Sequence, residues 1–202
     1  PDDADAHAHA HAHADAHSHG SFADLRSALA ASPLDPGLRD HSLAIFTLLA
    51  EAEAQVHSAT TDTVTFHELG EWDSIADIVA ASALIHAHRT ATWSLGSLPL
   101  GSGFVNSAHG LLPVPAPATT VLLRGLTVRD DGIGGERVTP TGAAIARHVL
   151  SFSGEAPRAR TMLGTGLGFG MRVLPNASNC VRALAFEASE SAPRLEGRVT
   201  SI

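Results

Sequence analysis

Six histidines stand within thirteen residues near the start of the chain: His7, His9, His11, His13, His17 and His19, separated chiefly by alanine. Neutral imidazole suits borderline divalent ions such as nickel, copper and zinc. In an extended segment alternate residues point the same way, so His7 to His13 form one row; in a helix His9 and His13 fall one turn apart. Either arrangement offers several donors to one ion. An alanine-rich linker or an expression tag is the plainer account. Six imidazoles are excessive for an inert linker, however, and a tag is not normally interleaved with Ala and Asp. The tract therefore predicts metal binding. It does not select the metal, because the usual affinity order puts copper first.

Three further groups of residues carry chemistry. In Phe66-His67-Glu68-Leu69-Gly70-Glu71-Trp72-Asp73-Ser74-Ile75-Ala76-Asp77, Asp73 and Asp77 lie four apart at a helix start, where the dipole favours carboxylates. With His67 and Glu68 just before them, they could hold a divalent ion or a metal-bound nucleotide. A capping Asp with solvent-facing acids explains the same spacing somewhat better. Next, Gly101 and Gly103 permit a backbone to approach a ligand closely, and His109 could act as ligand or acid/base. A tight turn with a surface histidine serves equally well. Last, Gly164-Thr165-Gly166-Leu167-Gly168-Phe169-Gly170-Met171-Arg172 could cradle phosphate through backbone amides, Gly166, Gly168 and Arg172 being the candidates. It fails the dinucleotide-binding pattern, since no glycine falls at the third position and no helix clearly follows.

Composition excludes several functions. The net charge is −8 and no basic cluster exists, which argues against nucleic acid as a partner. All thirteen basic residues are arginine. Without lysine there is no Walker A loop, Schiff base or lysine general base. A lone cysteine, Cys180, excludes an internal disulfide, fits a reducing compartment and reads as a half-buried small apolar residue. No apolar run approaches membrane-span length, and no signal peptide is visible.

These candidates need a scaffold, and the expected class is α+β. A helical N-terminal half precedes short strands, Gly/Pro-rich loops and two further short helices. Ser21 caps a short helix ending near Ser32-Pro33. A second helix runs from Pro36 to about His57, with Leu38, Ile45, Leu49, Ala52 and Val56 on one face. Thr63 to Phe66 is β-prone. A third helix spans Asp73 to about His88, its Ile75, Ile78, Val79 and Ile85 facing the core and its carboxylate face partly enclosed by Leu84 and His88. Thr92 to Leu95 reads as a strand. Leu112 to Pro117 is too rich in proline for a central strand and enters a helix over 118–124. Thr139 caps a helix with Pro140 at its first position, running on to about Leu150. The glycine-rich remainder reads as loop and sheet, with a strand near Val181 to Phe186.

Taken together, these segments resemble the LarC family of nickel-pincer cofactor biosynthesis proteins. The likeness rests on Phe66-His67-Glu68-Leu69-Gly70 with Asp73-Ser74-Ile75 and Asp77-Ile78, and on Leu98-Pro99-Leu100-Gly101-Ser102-Gly103-Phe104-Val105. It continues through Ala108-His109-Gly110, Leu112-Pro113-Val114-Pro115-Ala116-Pro117-Ala118-Thr119 and Val138-Thr139-Pro140-Thr141-Gly142-Ala143-Ala144-Ile145, then the spaced glycines before Pro175, Asn179 and Arg182. The resemblance implies insertion of nickel into a pyridinium bisthiocarboxylate mononucleotide, giving the cofactor of lactate racemase and related enzymes. CTP with Mg²⁺ or Mn²⁺ is implied as well, and the family carries a histidine-rich stretch where this tract lies. Loss of the ring proton calls for a base, for which His67, Glu68 and His109 are the catalytic candidates. His67, Asp73 and Asp77 join the tract as metal candidates. Gly101, Gly103, Thr139, Thr141, Gly166, Gly168 and Arg172 are the candidates for binding cofactor.

Three departures stand out. Thr65 occupies a position where the family usually has a second histidine. The family's acidic, glycine-containing opening segment does not precede Pro1. The chain stops near where the family's C-terminal domain begins, and the resemblance places nucleotide binding largely in that domain. The expected layout is a mobile tract over 1–20, a body over 21–190 and a linker over 191–202. A cytoplasmic homo-oligomer that hands its product to a racemase-type apoenzyme is expected. The alternative is a non-catalytic nickel store or metallochaperone.

Overall fold

The computed structural model describes residues 21–64, 72–107, 110–154 and 159–188. The histidine tract, His67, Glu68 and His109 lie outside these residues.

Of the five helices among the described residues, four announce themselves through their first residues. Ser21 opens α1 (Phe22–Ala31) with a reciprocal capping box: its hydroxyl accepts from the Asp24 amide, and the Asp24 carboxylate accepts from the Ser21 amide at 3.0 Å. Those bonds from Ser21 hold the Asp24 carboxyl below its ordinary pKa. Asp35 caps α2 (Pro36–His57) by accepting from the Gly37 amide, with Pro36 at the first turn. α3 covers Trp72–Ala87. Two shorter helices, α4 (Pro117–Leu122) and α5 (Pro140–Leu150), also start at proline, and Thr139 caps α5 through the Gly142 amide.

α2 is the axis of the body, packed against α1, α3, α4 and α5. Its Ile45, Phe46, Leu49 and Ala50 are fully buried. They meet Phe22 of α1, Ile78 and Ile85 of α3, Leu122 of α4 and Ala143 and Ala144 of α5. Alanines at 50, 143 and 144 let the helices approach closely. The expected apolar face of α2 holds at Ile45, Leu49 and Ala52, whereas Leu38 is half-buried and Val56 is exposed at the helix end. Inside this core the Thr119 hydroxyl is fully buried without a hydrogen-bond partner among the described residues.

The strands are small and paired. β1 (Leu98–Pro99) runs parallel to β4 (Val128–Arg129). β2 (Phe104–Ser107) lies antiparallel to β3 (Gly110–Pro113). β5 (Arg160–Phe169) forms a long antiparallel ladder with β6 (Cys180–Ala188), bulged between Met162 and Gly164. The Val114–Pro115 peptide bond is cis.

Several expectations change. Of the β-prone stretch Thr63 to Phe66, Thr63 instead closes a turn of 3-10 helix (Thr61–Thr63); Val64 is buried, its carbonyl accepts from the Phe22 amide, and Thr65 and Phe66 lie outside the described residues. Thr92 to Leu95 contributes only the Trp93–Ser153 bridge. Of the glycine-rich remainder, expected as loop and sheet, the run from Gly164 to Gly168 is strand, paired residue by residue with Ala185 to Val181 of β6. Cys180 begins β6 and is exposed, not half-buried. Leu84 and His88 are exposed and enclose nothing. No helix among the described residues is long and apolar enough to cross a membrane.

Candidate functional site

The sequence between β1 and β2 turns sharply at Gly101, whose φ of 74° is one a side chain rarely adopts. A Cβ there would collide with the carbonyl oxygen of Gly135. Gly135 in turn has φ 77°, donates its amide to the Ser102 carbonyl at 2.6 Å and lies flat beneath the Arg172 guanidinium. Three segments distant in sequence are thereby clasped together. Arg172 completes the clasp, donating to the carbonyls of Glu136 at 2.8 Å and Gly134 at 2.7 Å. Asn179 holds the other end by donating to the Arg172 carbonyl.

Between the clasped segments lies a cleft of about 600 Å³. Phe104, Val105 and Asn106 of β2 form one wall, and Gly135, Glu136, Arg137 and Thr139 form the floor leading into α5. Met171, Arg172 and Asn179 close the remaining side. The volume falls in the range of small-molecule sites. Arg137 is held nearly buried by a two-pronged bond to Asp131, with Nη2 2.9 Å from Oδ2. That hydrogen bond holds the Asp131 carboxyl below its ordinary value. Two guanidinium groups and the amino end of an eleven-residue helix therefore meet at one concavity. Asp131 neutralises Arg137 and the Glu136 carboxylate also lines the cleft, so Arg172 and the helix start are the groups left to meet an anion.

The candidate residues divide cleanly. Thr139 and Arg172 line the cleft, although the Thr139 oxygen also caps α5. Gly101 shapes it from beneath. Gly103 has φ 88° and opens onto free space, and its carbonyl accepts from the Val114 amide. Thr141 is buried in the first turn of α5 and is not part of the lining. Gly166 and Gly168 sit in the β5–β6 ladder opposite Ala183 and Val181, away from the lining. Asp73 and Asp77 are exposed on the first turns of α3. Among the described residues no three His, Cys, Asp or Glu side chains are gathered closely enough to hold a metal. Glu136 and Arg137 were missed. Their place between Gly134-Gly135 and the cap Thr139 was the available signal, since charged residues on a glycine-rich turn before a helix face what that helix receives.

The family described as nickel insertion protein matches residues 3–201. The chain belongs to this family. A relative from Geobacter sulfurreducens, named for nickel insertion, is 46% identical over 166 residues, which is 82% of this chain and 42% of that protein. One from Pelobacter propionicus is 47% identical over 162 residues, covering 80% of this chain and 41% of the relative. One from Dictyoglomus thermophilum is 44% identical over 146 residues, 72% of this chain and 38% of the relative. The chain thus spans about two fifths of the length of these curated relatives. No solved structure matches it. Among the described residues, the segments of Gly101, Thr139 and Arg172 build one cleft that a ligand can enter.

Proposed function

We propose that this chain is part of a nickel chelatase that inserts the metal into a pyridinium bisthiocarboxylate mononucleotide, the precursor of the lactate racemase cofactor. The observation that supports this reading most is the cleft lined by Arg172 at the start of α5 in a member of the nickel insertion family. A mononucleotide carries a phosphate, and Arg172 with the amino end of α5 is the part of the lining that complements it, Arg137 being neutralised by Asp131. Nickel is cargo in this reaction: the ion reaches two sulfur donors and a ring carbon, and the ring proton leaves. His67, Glu68 and His109 are the proposed bases. His67, Asp73 and Asp77 are proposed to hold a divalent ion. The histidines from His7 to His19 collect nickel and hand it on. CTP with Mg²⁺ or Mn²⁺ drives the reaction, bound largely by the portion of the relatives that this chain does not span. The product passes to a racemase-type apoenzyme in the cytoplasm.

Asn106→Asp tests the cleft. The residue lines it and is exposed, and a carboxylate there opposes a phosphate about 4 Å away by about 1 kcal/mol in a water-like dielectric. The mononucleotide should bind the variant several-fold more weakly, with thermal stability unchanged. Equal affinity would remove the cleft from the proposal.

A further inference from the structure

Three histidines from three helices meet on the body, outside the lining of the cleft. His41 lies on α2, His86 on α3 and His148 on α5. The Nδ1 of His41 stands 3.0 Å from the Nε2 of His148, with the ring centroids 5.3 Å apart. Phe152 packs edge-on against both rings, at 5.3 Å and 4.9 Å, and fixes their positions. The His86 ring is 6.1 Å from that of His41, and its Nε2 meets Asp35 Oδ1 at 3.2 Å. Gly37 makes room for His86: any Cβ there would run into the imidazole.

From this geometry we infer that His41 and His148 form a two-imidazole site for a borderline divalent ion, nickel or zinc, independent of the tract and of the proposed chelatase reaction. Two nitrogens sharing one such ion at ~2.0–2.1 Å lie about 2.9–3.4 Å apart for cis octahedral to tetrahedral geometry, and the observed separation falls in that interval. At present the pair can share only one proton, one ring donating and the other accepting. An incoming ion takes the place of that proton: the donating ring passes to its other tautomer, its proton moving through solvent to the ring's second nitrogen, and both neutral rings bind through their lone pairs. Burial keeps His148 neutral at ordinary pH, so its lone pair is available. His41 is only partly buried and gives the ion its way in. Water completes the shell. His86, oriented by Asp35 as a carboxylate orients a histidine beside a metal, is the neighbouring ring that accepts hydrogen bonds from that water. Site occupancy would tie α2 to α5.

The test uses the full chain with His7, His9, His11, His13, His17 and His19 replaced by alanine, so that the tract is silent. Ni²⁺ or Zn²⁺ is titrated while the imidazole signals of His41 and His148 are followed by nuclear magnetic resonance. The expected result is saturable perturbation of both rings by one equivalent of Ni²⁺ or Zn²⁺ and none by Mg²⁺. His41→Gln and His148→Gln should each weaken that binding at least tenfold. Ring signals unmoved by excess Ni²⁺ and Zn²⁺ overturn the site even if the His148→Gln variant fails to fold. Unchanged affinity in both substituted chains overturns it too, leaving a hydrogen-bonded pair only.

Discussion

His148 is 6% exposed, and burial with the nearby His41 charge lowers its pKa from the ordinary 6.5 to about 4. The unfolded chain therefore takes up a proton near pH 6.5, while the folded chain does not until about pH 4. Stability should fall as pH drops through that window, by up to about 3 kcal/mol, and the slope should be shallower in His148→Gln, where the partly buried His41 keeps its own lowered pKa. Urea unfolding at pH 7, 5.5 and 4.5 of both chains checks this. Thr119 offers an opposite case. Its hydroxyl is fully buried and unpartnered among the described residues, a cost of about 1–3 kcal/mol in a native core. Thr119→Val removes the polar atom at almost constant volume, so the melting temperature should rise; a fall would mean that the hydroxyl serves a partner. Neither residue was conspicuous in the sequence. His148 draws its character from His41, 107 positions away, and no local pattern carries that.

At the level of elements, legibility followed the caps. Ser21, Asp35 with Pro36, and Thr139 with Pro140 each bond the first amides of a helix, and those helices begin where the residues indicate. The strand β5 was opaque because its alternating glycines have no side-chain pattern and borrow their register from β6. The clasp beneath the cleft was half legible. Gly101 was marked as a place of close backbone approach, but what approaches is the Gly135 carbonyl rather than a ligand. Gly101→Ala meets both that collision and an unfavourable φ, so it should cost more than about 1 kcal/mol and open the cleft. Thermal unfolding together with mononucleotide binding measures both effects. A variant as stable as the parent would mean that the Ser102–Gly135 contact does not hold the site.

The whole molecule joins a histidine-rich start to a helical body that belongs to the nickel insertion family. The two have separable roles if the body performs chemistry. Removing residues 1–20 should leave insertion intact at saturating nickel and depress it only when nickel is scarce; a pure store would lose its function at every nickel level. The central claim is that nickel is placed in an organic ligand, and one assay addresses it directly. A protein of the relatives' full length carrying this body is supplied with nickel, CTP, Mg²⁺ and the pyridinium bisthiocarboxylate mononucleotide. Activation of apo lactate racemase is then followed. Activation should require both nickel and CTP and drop at least several-fold with Asn106→Asp at low mononucleotide. No activation by a folded, nickel-loaded protein with every component present would contradict it.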